Sequence, residues 1–283
     1  MADARSGSVA WLVVGLSSLL VYGPLLLGLI RDWASDDNYS HGFAVLPLAA
    51  YFAWERRHSG HDGPSESRLG GLGLVGIGLA MFLVGQLGAE RFISRVSLVV
   101  VLSGSTVYCW GWRTLRRLVF PFAFLLLMIP MPALVFNQVA FPLQLAASDL
   151  GAKVLAAVGV PVLREGNLVF LARTTLEVAE ACSGIRSLIS LFTVGVVYGY
   201  FSDDRVAVRW AIALVTIPIA IVANGVRVAG AGLLSHRYGD AAARGFVHAF
   251  SGWLMFAFAF GLLFAAALLI SRVAGARGER VRS

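Results

Sequence analysis

The sequence predicts an all-α polytopic membrane protein of about eight transmembrane helices, with both termini on the cytoplasmic side. Three observations carry that prediction. Of 283 residues, 58% are hydrophobic, and the 31 glycines raise the apolar share to about 69%, against roughly 45–50% in an ordinary soluble domain. Only 14% are charged, where about 25% is usual. The mean hydropathy is +0.78, and the apolar residues come in long blocks separated by arginines. A soluble domain of this size has no interior large enough for so much apolar side chain. The same composition excludes a disordered chain, a coiled coil and a disulfide-stapled secreted module. With no internal repeat, low-complexity tract or soluble insert, residues 1–283 read as a single integral membrane domain.

A bilayer core of about 30 Å takes roughly 20 apolar residues per helix. The first block, Val9 to Ile30, is too long and too polar at its end for a cleavable signal peptide. A short second block runs from Phe43 to Trp54. The third, Leu69 to Leu87, carries Gly70, Gly71, Gly73, Gly76 and Gly78, small residues that let helices approach closely in lipid. The fourth covers Val96 to Trp110 and the fifth Leu118 to Phe136, with Pro130 and Pro132 inside it. The sixth runs from Gly184 to Phe201, the seventh from Val208 to Ala223 and the eighth from Phe246 to Ile270. Between the fifth and sixth, residues 141–158 have helical periodicity with a few polar positions, which predicts a helix on the outer interface. Alternating apolar residues around Glu165-Gly166-Asn167 predict a small β-hairpin over Val162 to Val178.

The net charge is +7, with 23 basic residues of which one is lysine, Lys153. A basic surplus can signal nucleic-acid binding, but in a chain of this class arginine gathers in cytoplasmic loops. With the N-terminus inside, 13 basic residues fall on inner segments and nine on outer ones, three of the nine in the one long loop. The bias supports eight spans, a lipid environment and no nucleic-acid partner.

Ionisable residues at membrane depth are the informative ones. The run Glu177-Val-Ala-Glu180-Ala-Cys182-Ser183-Gly184-Ile-Arg186 opens the sixth span. A helix N-terminus favours thiolate, and Arg186 at i+4 from Cys182 shares its face. Both lower a thiol pKa, although a lone cysteine can equally be a small buried apolar group, the reading taken for Cys109. Asn224-Gly-Val-Arg227 closes the seventh span. Arg227 there either caps helix carbonyls or offers a fixed fork of donors to an anion. His248 begins the eighth span. A thiol, an imidazole and a guanidinium at one level of the membrane are the parts of a cysteine acyl-transfer site. The first outer loop, Asp36-Asp37-Asn-Tyr39-Ser40-His41-Gly42, is too loose a pattern for metal and reads as a polar loop beside substrate. No HExxH, CxxC, P-loop, GxGxxG after a strand, or GxSxG elbow is present. No metal or cofactor is expected.

These motifs, in this order, resemble the exosortase/archaeosortase family of multi-span membrane cysteine transpeptidases. The resemblance rests on Asp37-Asn-Tyr39-Ser40-His41-Gly42-Phe43, on the proline-bounded Phe120 to Pro132 stretch and on Glu177 to Ser187. Ala223 to Arg227, and His248 with Gly252-Trp253, complete it. It implies catalytic roles for Cys182, Arg227 and His248, with Arg186, Glu180, Ser183, Asn224, Tyr39 and His41 binding substrate or supporting them. It also implies the substrate: an exported protein with a C-terminal tripartite signal, made of a short motif such as Pro-Glu-Pro, an apolar span and a basic tail. Cleavage would fall at the outer face of the bacterial inner membrane, with transfer to a lipid or glycan acceptor. Two other readings stay open from the residues: a non-enzymatic transporter or polysaccharide-export scaffold, and an intramembrane protease that hydrolyses without transfer.

Overall fold

The computed structural model describes residues 2–56, 68–172, 174–178, 185–239 and 246–282, with the backbone alone at 2–14, 18–19, 185–186, 246–252 and 276–282. Two compact units divide at Pro132 and Ala133.

The first unit holds α1 (Ala2–Ser35), α2 (Gly42–Arg56), α3 (Arg68–Leu87) and α4 (Arg91–Leu125), the last ending in a 3₁₀ turn, Leu126–Met128. Helix α4 is not straight. Gly111 has φ 82° and ψ 171°, a conformation essentially reserved for glycine. The Arg95 guanidinium meets the Asp32 carboxylate at 2.5 Å, while the Trp33 indole N–H donates to the Met128 carbonyl at 2.9 Å. An unbroken helix would hold residues 95 and 128 about 50 Å apart. Both touch adjacent residues of α1, so α4 folds back on itself at Gly111. The expected fourth span, ending at Trp110, and the start of the fifth are its two arms.

Residues 91–110 pack on α3 through glycines. A Cβ on Gly71 would fall 2.5 Å from the Tyr108 nitrogen, and one on Gly104 would fall 2.6 Å from the Val75 nitrogen. This is the backbone contact that the glycine-rich third span predicts. On α1, Tyr22 and Ser97 share a hydroxyl hydrogen bond at 3.0 Å above an apolar cluster with Leu98 and Val101. Residues 112–125 pack on α2, where Phe52 meets Phe120 and Phe124 edge-on at 5.2 and 5.4 Å. The Arg56 guanidinium lies over Phe120 and donates to the Arg117 carbonyl. The expected fifth span is corrected at its end: helix stops at Met128, not Phe136. Pro130 and Pro132 have no N–H for a helical ladder, and a new helix starts at Ala133.

Gly111→Ala is expected to cost about 1–3 kcal/mol, because a Cβ is strained at this φ/ψ. Thermal unfolding in detergent checks it, and an unchanged midpoint would contradict the fold-back.

The second unit holds α5 (Ala133–Ala157), β1 (Val162–Glu165), β2 (Leu168–Leu171), β3 (Thr175–Glu177), α6 (Ile185–Ser202), α7 (Val206–Tyr238) and α8 (Phe246–Arg282). The hairpin is present, with Glu165 paired to Leu168 across a Gly166-Asn167 loop. Gly166 takes φ +62° there, as a two-residue hairpin loop requires. A third strand, β3, extends it into an antiparallel sheet of order β1-β2-β3. The helix expected on the interface over 141–158 starts eight residues earlier, at Ala133. Its 25 residues are long and apolar enough to cross a membrane, so composition does not set it apart as interfacial.

Helix α5 runs parallel to α7. A Cβ on Gly225 would fall 2.5 Å from Leu150, and one on Gly151 would fall 2.6 Å from Val228. Helices α6, α7 and α8 bury a shared cluster that includes Leu191, Ile212, Ala223, Ala259 and Leu263. The tight turn between α6 and α7 is held by charge: Arg205 grips both oxygens of Asp203, at 3.0 and 2.7 Å. That guanidinium holds the Asp203 carboxyl down at about 2.

Among the described residues, five helices are long and apolar enough to cross a membrane: Arg68–Leu87, Arg91–Met128, Ala133–Ala157, Val206–Tyr238 and Trp253–Gly275. The chain is an all-α, multi-pass membrane protein.

Candidate active site

Arg227 is inside α7, not at its end. The expected seventh span stops at Ala223, but the helix runs on to Tyr238 and is capped by Gly239, whose N–H donates to the Ser235 carbonyl at 2.9 Å. The carbonyls around Arg227 are therefore engaged in the helix, and the capping reading of this arginine is overturned. At 100° per residue, Arg227 lies about 40° around α7 from Ala223 and one turn further on. Ala223 packs into the apolar cluster with α6 and α8. Arg227 thus continues the face of α7 that those two helices cover, just past the last apolar contact.

The start of α6 comes within about one turn of that level. A Cβ on Gly199 would touch the Arg209 backbone, and one on Gly195 would touch Ala213 and Thr216. Running the antiparallel pair forward from these contacts sets Ile185 opposite Ala223. Eighteen residues of α6 make roughly 27 Å of helix, close to the bilayer core thickness. The Cys182 motif precedes Ile185 directly in sequence. Cys182, Ser183 and Glu180 themselves lie outside the described residues, and Arg186 is described by its backbone on α6.

His248 is in the first turn of α8. Val208 and Ala211 of α7 share a cleft with Ile270 and Ala274 of α8, so these helices are also antiparallel. Counting back from that contact puts residue 248 about one to two turns beyond Arg227, toward the same end of the bundle.

The sheet packs on α5 and α7 beside Arg227. Val160, Val169 and Val178 pack with Val228 and Ala229 of α7. Arg164 of β1 reaches α5, donating to Ser148 Oγ at 3.0 Å and to Asp149 at 3.3 Å. Val178, four residues before Cys182, is bound at both backbone groups. Its N–H donates to the Asn167 carbonyl at 3.0 Å, and its carbonyl accepts from Asn167 Nδ2 at 3.4 Å. The β-turn that the sequence marks so clearly is thus an anchor for the strand entering the cysteine motif.

Asn224 is 6% exposed, and its Nδ2 has no hydrogen-bond partner among the described residues. A buried amide left so costs about 1–3 kcal/mol. It lies one turn from Arg227 and about 60° around the helix.

Tyr39 and His41 belong to the first unit and have a local task there. The His41 Nε2–H donates to the Leu127 carbonyl at 3.0 Å, and the Tyr39 hydroxyl accepts from the Met131 N–H at 3.2 Å. With Trp33 on Met128, they satisfy backbone groups left open where α4 stops before Pro130. Asp36 turns inward on its own loop, accepting from the Asn38 N–H at 2.9 Å. Among the described residues no three His, Cys, Asp or Glu side chains gather as a metal site.

Burial pushes the His41 pKa below its ordinary 6.5. The unfolded chain binds that proton more readily, so this contribution to stability is whole above pH 6.5 and is lost as pH falls through the folded value. Thermal unfolding should therefore show wild type losing stability below pH 6.5 more steeply than His41→Gln. Parallel curves would contradict it.

Sequence reasoning missed the Asp32–Arg95 pair, which lies 63 residues apart in the chain. Each residue taken alone is an unremarkable charge at a span end.

Helices of membrane-crossing length, with a small antiparallel sheet packed against α5 and α7, define a multi-pass membrane protein. The chain belongs to the transmembrane exosortase family, whose model matches residues 33–265 and so contains every candidate residue named above. Neither a curated protein nor a solved structure matches it.

Proposed function

We propose that this protein is a membrane cysteine transpeptidase that cleaves the C-terminal sorting signals of exported proteins. The observation that carries the reading is Arg227. It lies within α7, one turn past Ala223 of the cluster shared with α6 and α8, and toward the end of α7 that the start of α6 approaches. Family membership supports a role in processing sorting signals.

In this reading the Cys182 thiolate attacks the carbonyl carbon next to the sorting motif. Arg227 donates hydrogen bonds to the oxyanion of the tetrahedral intermediate. The carbon–nitrogen bond then breaks, and His248 delivers its proton to the leaving amine, leaving a Cys182 thioester. A hydroxyl or amine of a lipid or glycan acceptor attacks that thioester and passes its proton to the now neutral His248, the carbon–sulfur bond breaks, and the thiolate departs. Arg186 stabilises the thiolate or meets an acidic group of the motif. Asn224 supplies a further donor, and Glu180 and Ser183 frame the nucleophile. The site faces outside the bacterial inner membrane: the substrate's apolar span lies among the helices, its basic tail stops inside, and the scissile bond comes level with Cys182.

The test is co-expression with an exported protein bearing a motif–span–basic tail, followed by mass spectrometry of its new C-terminus. An adduct on that C-terminus is the expected result. A free carboxylate would replace transfer with hydrolysis, and an unprocessed protein would overturn the reading.

A further inference from the structure

The first unit contains a cleft of about 600 Å³ that the proposed reaction does not use. It opens where α1 and α3 end and α4 begins. Its cationic residues are Arg31, Arg91 and Arg95, and its one carboxylate is Asp32. Arg95 is 5% exposed and paired with Asp32. Arg31 and Arg91 are exposed, and among the described residues no carboxylate pairs with either. The nearby Glu90 carboxylate is turned to the Phe92 N–H, where it caps α4. The cleft therefore carries two guanidinium groups with no carboxylate paired to them among the described residues. Pro24, Leu25 and Gly28 of α1 add an apolar stretch to the lining.

Arginines at span ends ordinarily serve as topological markers in water. That accounts for Arg31 and Arg91 singly. It does not account for Arg95, which is one turn inside α4 and withdrawn from solvent, or for the concave space between the three. Guanidinium forks match the oxygens of a phosphate, and several around one anion give a phosphate site. An apolar stretch beside the cationic residues fits a phosphate carried on an acyl chain.

We infer that this cleft binds a phosphate group, held by Arg31 and Arg91 with the Asp32–Arg95 pair fixing the wall behind it. A phospholipid headgroup and free phosphate offer the same chemistry, and the cleft wall discriminates between them. Gly28 supplies the means: a Cβ there would lie 3.9 Å from the Arg95 guanidinium, with no side-chain atom of Arg31 or Arg91 within 4 Å, so small side chains fit and a larger one narrows the cleft against Arg95 while leaving the two phosphate-holding arginines in place.

The experiment uses the full-length protein, delipidated in detergent. Thermal unfolding is followed against phosphatidylglycerol, inorganic phosphate and an uncharged glycolipid. A saturable upward shift with phosphatidylglycerol is expected, with apparent affinity at least tenfold weaker in R31Q/R91Q. Both side chains are exposed, so this variant is expected to fold. Gly28→Leu should abolish the lipid effect and spare any effect of inorganic phosphate. A shift with inorganic phosphate that survives Gly28→Leu supports the site with a free anion as its ligand. The inference is overturned by an equal shift from the glycolipid, by an unchanged response in R31Q/R91Q, or by stabilisation with a glutamate-rich peptide and not with either phosphate.

Discussion

Cys182→Ala is expected to eliminate processing of a co-expressed sorting-signal protein while the enzyme still accumulates in the membrane. Removing the nucleophile of an acyl-transfer site costs on the order of 10⁶-fold in rate, so uncleaved substrate should be the sole species on an immunoblot. The loss should fall on chemistry and not on folding. The chain leading to residue 182 is held through Val178 by two hydrogen bonds with Asn167, one in each direction, and neither involves the thiol. Continued cleavage in Cys182→Ala would remove this residue from the mechanism. Loss of the protein from the membrane would instead assign Cys182 to packing.

Arg227→Lys should be almost as severe in effect, for a different reason. Lysine keeps the positive charge and the fit to the helix, but it lacks the planar fork that addresses two acceptor positions. An oxyanion donor is worth about 10²–10³-fold, and most of that should disappear from the rate of product formation. Because α7 continues for eleven residues past Arg227 and has its own cap at Gly239, the change should leave helix stability nearly untouched. Thermal unfolding beside the cleavage assay separates the two: equal midpoints with slow cleavage is the expected pair. Near-normal turnover would mean that the site asks only for charge.

Much of this architecture is legible from the chain. The break at Gly111 falls where the fourth apolar block ends, because tryptophans and arginines interrupt hydropathy at the residue that turns the backbone. The Gly166-Asn167 loop announces its hairpin through the φ that only glycine takes cheaply. Other features are hidden for physical reasons. Hydropathy runs unbroken through Pro130 and Pro132, yet those residues stop the helical ladder, so the fifth span reads eight residues too long. β3 has three residues, and its pairing comes from the neighbouring strand and not from its own pattern. Arg227 looks terminal because apolarity declines there, whereas hydrogen bonding carries α7 three turns further. The candidate residues are readable as types, but the place of Arg227 within α7, and not at its end, follows only from how far the helix runs.

The reversal at Gly111 has a consequence for the length of α4. A long loop between two helices absorbs insertions, since its slack hides them. Here a single residue joins the arms, so they share one rotational phase. Adding a residue to either arm turns everything beyond it by about 100° and lifts it by about 1.5 Å. Phe120 and Phe124 would then leave Phe52, and Met128 would leave Trp33. The number of residues between Arg95 and Met128 is therefore held as firmly as the side chains that make these contacts.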